Sequence, residues 1–303
     1  MSDAISPALV GLLGELNDLK RVRMADHPLS LAELGFTRAW HALLAGQPLA
    51  EVAQSETAAA LVAARLGGID GAVLAVAGLD ERATLAVRSR ALDAVAATLA
   101  APFRAALAST LERYPAAGPP PPSPPAWVQR LMDQPRAGAT CPGRPRLVLE
   151  PPESHGDHCY TTAIYGVLIA AAWEAPVELP FLAGLCHHFH NVYLPDAGFT
   201  GEALLGDHLE TVVARLSERT VAALPPVLQG PVAEARTLLT HADTPVARAF
   251  HAADVIDRVL QMQHYARGAQ FQLAQALDDM ELVHPGPLQR FQQQMLAAAG
   301  LWP

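Results

Sequence analysis

The sequence predicts an all-α protein. Through most of the chain Ala, Leu and Val recur at spacings of three and four, the repeat of one helix face. The long runs hold few β-branched or turn residues, and the breaks fall at Pro and Gly, where helices stop. At 303 residues and 51% hydrophobic content, the apolar side chains suffice for one large or two medium cores.

In order, residues 4 to about 112 read as helices. Pro28 and Ser30 mark a break and a cap before Leu31, while Gly46-Gln47-Pro48 and Gly67-Gly68 supply further stops. Asp80 to Arg113 reads as one long amphipathic helix opened by Asp80-Glu81. This half carries no chemical motif, and His27 and His41 read as ordinary helix histidines. Its apolar face packs either on the second half of the chain or on another subunit.

Residues 115–126 contain seven prolines, which favour an extended segment and read as a semi-rigid spacer. The expected organisation is a helical domain over 1–114, this linker, and a second helical domain over 127–303. There, 127–132 is a short helix and 146–150 a brief extended piece. Asp157 caps a helix from about His158 to Trp173, on which His158, Thr162, Tyr165 and Ile169 share a face. Pro180 sits in the first turn of the next helix, which ends at His187-His188. A loop over 191–201 follows, then a helix from about Gly201 to Ser217 carrying His208. Thr244-Pro245 opens a helix with His251, Asp254 and Arg258.

Several classes are excluded by composition. A net charge of -9 and a single lysine, Lys20, leave no basic footprint for nucleic acid. Three irregularly spaced cysteines make neither a disulfide framework nor a Cys-rich zinc site; Cys159 and Cys186 read as small buried side chains. With neither a signal peptide nor a membrane span in the pattern, the expected setting is a reducing cytoplasm and the expected partner a small-molecule substrate, with homo-oligomers allowed.

The chemistry concentrates at residues 182–191, where three imidazoles fall within four positions at the end of an apolar segment, and ten of the twelve histidines lie between His155 and His284. Neutral imidazole is the commonest protein metal ligand. By default His155, His264 and His284 are surface residues, and His190 follows the doublet into solvent.

The order of His158, then Leu182-Ala-Gly-Leu-Cys-His187-His188-Phe, then Ala253-Asp254-Val-Ile-Asp257-Arg258 resembles the HD-domain superfamily of metal-dependent phosphohydrolases and related oxygenases, over about residues 150–275. The resemblance implies a helical bundle holding a metal on His158, His187, His188 and Asp254. One departure is the doublet, His-His where the family has His-Asp. A neutral imidazole has one lone pair and cannot bridge two ions as a carboxylate does, so one Zn²⁺, Fe²⁺ or Mn²⁺ is expected. His208 and His241 stand where two-metal members place extra histidines. In a hydrolase, Asp196 or His208 would be the base, with Arg258 and Arg248 the nearest cations for a phosphate, because Leu147 through Ala214 contains no Lys or Arg. Hydrolysis of a small phosphorylated or nucleotide substrate is the leading expectation. An iron oxygenase uses the same ligands with open positions for dioxygen and substrate, and a degenerate domain would serve ligand sensing or protein contact.

Overall fold

The computed structural model describes residues 5–25, 27–113, 123–269, 272–279 and 281–302. Its architecture is all-α: fourteen α-helices joined by short 3₁₀ and irregular turns, with no strand among the described residues. The proline-rich spacer lies outside the described residues except for 123–126, the end of which starts a helix.

The first helix, α1 (Pro7–Asn17), starts where Ser6 Oγ accepts the Leu9 amide and Pro7 occupies the first turn. A 3₁₀ turn over Asp18–Lys20 follows. Ser30 and Glu33 form the capping box of α2 (Leu31–Leu44), and Gly67, at φ +57°, ends α3 (Leu49–Leu66). After the short α4 (Gly71–Val76), the expected single helix from Asp80 to Arg113 is two, α5 (Glu81–Val95) and α6 (Ala101–Arg113). Pro102 explains the correction. Its ring has no N–H for an intrahelical bond and would collide with the preceding turn, whereas it fits the first turn of a new helix.

Helix α8 (His155–Ala172) is the centre of the molecule. Nearly every residue from His155 to Ala170 is buried, as expected of a helix apolar on all sides. Around it pack α2, α3, α7 (Ala126–Asp133), α9 (Glu178–Cys186) and α13 (Pro245–Ala269). The segments before and after the proline stretch therefore share one core. Leu13, Trp40 and Leu61 belong to the same buried cluster as Ile164, Phe181 and Val255, and the Tyr165 hydroxyl donates to the Leu13 carbonyl at 2.5 Å.

Two glycines set the α8–α9 distance. A Cβ on Gly184 would lie 2.4 Å from the Ala163 Cα, and one on Gly166 would lie 3.1 Å from the Pro180 carbonyl oxygen. The two helices run antiparallel, so the start of α8 and the end of α9 meet at one end of the bundle.

The helix expected over 201–217 is also broken, into α10 (Gly198–Leu205) and α11 (Leu209–Ala222). Gly206, at φ +51°, ends the first, and His208 lies exposed in the turn between them. The remaining helices are α12 (Pro226–Thr237) and α14 (Gln289–Ala298).

Candidate metal centre

The start of α8 differs from expectation by one turn, and the difference matters. Ser154 is the cap: its Oγ accepts the Asp157 amide and the Asp157 carboxylate accepts the Ser154 amide, a reciprocal box in which Asp157 is the third residue and not the cap. The extra turn puts His155 and His158 three apart on one face of a buried helix. His155 is 0% exposed, which corrects its assignment to the surface.

Four imidazoles converge where α8 and α9 meet. In each, Nδ1 faces an acceptor. For His158 it is Asp257 Oδ2 at 2.7 Å, and for His187 the Gly184 carbonyl at 2.8 Å. For His188 it is Asn191 Oδ1 at 2.8 Å, and for His155 the Gln134 carbonyl at 3.2 Å. Carboxylate and carbonyl oxygens only accept, so each Nδ1 carries a proton and each ring turns its Nε2 inward. The Asn191 amide is oriented by its own Nδ2, which donates to the Leu194 carbonyl.

The inward atoms are close. His158 Nε2 lies 3.1 Å from His187 Nε2 and 3.2 Å from Asp254 Oδ1, and His187 Nε2 is 3.9 Å from the same oxygen. The His188 donor atom lies within 4.8 Å of those of His158 and His187. Either a proton on His158 Nε2, donated to Asp254 Oδ1, or a cation among the three atoms relieves the repulsion between acceptors at these distances. His187 is disfavoured as the seat of the proton, because burial, with His158 beside it, pushes that imidazole well below its ordinary range. A cation fits: the centre of the triangle is about 2.0 Å from all three atoms, the length of a Zn–N or Zn–O bond. Nδ1 protons held by fixed acceptors are the usual support behind metal-binding histidines.

Helix α13 supplies the acids. Asp254 and Asp257 are one turn apart, and Arg258 Nη2 lies 3.3 Å from Asp254 Oδ2. Burial acts to raise the Asp254 carboxyl, but Arg258 and His158 outweigh it and hold the group well below the ordinary carboxylate range. Asp254 thus offers an anion.

The remaining expectations divide. Asp196 Oδ2 accepts the Ala137 amide and lies 3.7 Å from His155 Nε2, a buried atom with no hydrogen-bond partner, so Asp196 lines the His155 side of the cluster. Burial raises its carboxyl, yet Arg136 and two backbone amides bring the net shift down, which weakens it as a base. Among the described residues no hydrogen bond, ion pair or ring contact joins His208 to the cluster. His241 contributes its carbonyl, which accepts from His251 Nε2 at 3.0 Å, and its imidazole is not among the converging rings. His190 is half-buried, its ring tilted at 40° against that of His188, where solvent exposure was expected. Cys159 and Cys186 are buried, as expected.

Sequence reasoning found Arg258 but missed two other cations. Arg136, from the connection between α7 and α8, lies 3.9 Å from Glu153; its Nη1 is buried without a hydrogen-bond partner, and its charge acts on His155, His188, Asp196 and Asp254. Lys20 lies beneath the cluster, 2.5 Å from Glu153 and 2.7 Å from Asp257. Only the Ser154-x-x-Asp157 pattern could have revealed His155; nothing local marks Lys20 or Arg136.

The buried imidazoles predict a pH dependence. Burial pushes His155 down to about 3 and His190 to about 4, in both cases with a neighbouring arginine adding. Unfolded, both take up a proton near pH 6.5, so between about pH 6.5 and those values the unfolded chain binds more protons and stability falls as pH falls. Asp157 acts oppositely: burial and Glu33 raise it to about 7, so its contribution is full below about pH 4 and is lost as pH rises to 7. Metal-free protein should lose stability from pH 6.5 to 4.5 in urea denaturation, because His187 and His188 shift in the same sense as His155 and His190. A constant midpoint over that range would contradict the buried neutral imidazoles.

Comparison with known proteins yields no relative: no protein-family model matches the chain, and no curated protein or solved structure matches it significantly.

Proposed function

We propose that the chain is a metal-dependent hydrolase with one divalent ion held by His158, His187 and Asp254, with His188 as the fourth donor, acting on a small phosphorylated or nucleotide substrate. The observation that carries the metal is the pair of Nε2 atoms 3.1 Å apart, both of whose rings have already committed their proton to an acceptor on the other nitrogen. Three imidazoles and one carboxylate suit Zn²⁺, Mn²⁺ or Fe²⁺. Such an ion, when bound, polarises a phosphoryl oxygen and acidifies water.

The chain's own residues do the rest. Arg258 fixes the Asp254 carboxylate and keeps it ionised, and Asp257 holds the His158 ring. Arg136, with an N–H that has no acceptor, and Arg258 supply the positive charge that a phosphate needs, which answers the lack of cations between Leu147 and Ala214. Asp196 and His155 form the proton-accepting side of the reading. His155 Nε2 and the Asp196 carboxylate lie 3.7 Å apart on that side, and both are held low, His155 by burial with Arg136 and Asp196 by Arg136 and the backbone amides.

Elemental mass spectrometry on protein purified without a histidine tag tests this. About one zinc, manganese or iron per chain is expected, together with turnover of p-nitrophenyl phosphate or its bis-ester. Two irons per chain would replace the hydrolase by the oxygenase reading. Protein that stays metal-free after reconstitution would sink the metal centre.

A further inference from the structure

Beneath the metal centre lies a set of buried charges that the ligand chemistry does not require. Asp257 is 0% exposed, and each of its oxygens is engaged. Oδ2 accepts from His158 Nδ1 at 2.7 Å and from Lys20 Nζ at 2.7 Å, while Oδ1 accepts from Asn17 Nδ2 at 3.3 Å. Lys20 also donates to Glu153 Oε1 at 2.5 Å, and its side chain is 1% exposed. Asn17 is in turn held through its Oδ1 by Arg21, which reaches Gln261 on α13. The stretch 17–21, in the half of the sequence without a chemical motif, therefore delivers three side chains to the support of one ligand.

The chemistry of that arrangement is specific. Glu153, His158 and Asp257 offer ligand atoms close enough together to hold a metal ion themselves. The Lys20 ammonium lies against the two carboxylates of this trio, as a fixed cation supplied by the chain. It has two effects on His158. It holds the Asp257 carboxylate in the position that receives the Nδ1 proton, and by sharing the negative charge of Oδ2 it keeps that proton on the imidazole. His158 then presents a lone pair at Nε2 and nowhere else.

Resting on the metal centre proposed above, we infer that Lys20 is a positioning residue for that centre, acting through Asp257 on the His158 tautomer, and that the N-terminal helical half is a working part of the site. The ammonium also keeps the Glu153–His158–Asp257 trio from taking an ion of its own, which directs the divalent cation to the Nε2 side.

Cobalt(II) titration of the full chain tests the inference, because the d–d spectrum reports ligand type and geometry whether or not a substrate is known. Lys20→Met alone leaves two buried carboxylates facing each other and is at risk of not folding. The double variant Lys20→Met/Glu153→Gln removes one carboxylate with the ammonium and keeps the charge balanced. Expected is a folded double variant, by circular dichroism, whose cobalt affinity is reduced about 10- to 100-fold with an altered d–d band. Glu153→Gln alone, which keeps Lys20 on Asp257, should retain the wild-type spectrum and affinity. A double variant with wild-type spectrum and affinity overturns the role of Lys20 and leaves the metal centre standing. Wild-type protein that takes up no cobalt overturns the metal centre itself, and Lys20 as its positioning residue with it. Should the double variant not fold, Lys20→Gln, which keeps a donor for both carboxylates without the charge, gives the same reading from its spectrum.

Discussion

Alanine at His187 or at Asp254 should empty the proposed metal centre, taking bound metal from about one ion per chain to near zero and abolishing the proposed hydrolysis with it. Loss of a hydrogen-bonding partner behind a metal-binding residue costs about 10- to 100-fold in affinity. Removal of a donor atom from a triangle with sides of 3.1, 3.2 and 3.9 Å should cost more than that. Asp254→Asn is the sharper variant, since it keeps the shape and removes only the charge. The fold should survive, because Asp254 lies at the edge of the core with its side chain 18% exposed. His208→Ala serves as the contrast: its imidazole is exposed on the turn between α10 and α11, and metal content should not change. Elemental analysis of the four variants side by side decides the matter. Full metal in the His187 and Asp254 variants, or loss in the His208 variant, would mean that the ligands lie elsewhere.

The second large effect is expected at Gly184, which touches no ligand. A methyl group there would meet the backbone of Ala163 at 2.4 and 2.5 Å, and backbone in the middle of a buried helix has nowhere to go. Overpacking of this kind costs about 1–3 kcal/mol and sometimes more. Gly184→Ala should fall at the upper end, about 3 kcal/mol, a large fraction of the roughly 5–15 kcal/mol by which domains are stable. Because relief requires α9 to slide off α8, His187 would move away from His158, so metal affinity should fall along with melting temperature. Gly11 gives the control. It lies exposed inside α1 with open space where a Cβ would stand, and Gly11→Ala should be neutral or stabilising by up to about 1 kcal/mol. Equal melting temperatures for the two variants in calorimetry would show that α8 and α9 are not packed as closely as described.

What was legible in the sequence follows from how far each signal reaches. Helical class rests on local periodicity, and it holds. The histidine run at 187–190 stands out by residue type at the end of an apolar helix, whereas His158 and Asp254 entered only through the order that resembles the HD-domain superfamily; the fold brings the donor atoms of His158, His187 and Asp254 together. Pro102 was available as a helix breaker, but the Ala and Leu repeat continues across it and hides the break. His155 depended on placing a cap: Ser154 and Asp157 carry the pattern, and moving the start of α8 by one turn changes His155 from a surface residue to a buried one. Lys20, Arg136 and Asp257 were beyond local reading. Lys20 meets Asp257 across 237 positions of chain, and an ion pair at that separation leaves no periodicity. The break at Gly206 likewise removes His208 from the candidates, since a left-handed glycine redirects the chain in a way that a simple extension of the helix does not anticipate.

The burial of Lys20 has a practical side. The sequence contains one lysine, so in the folded chain an amine-selective reagent finds no accessible ε-amino group. Acylation of that nitrogen requires the stretch around residue 20 to leave Glu153 and Asp257, which exposes two carboxylates and frees the His158 ring at the same moment. A label on Lys20 thus marks every molecule whose interior has opened, and the rate at which that label appears is a clock for the opening.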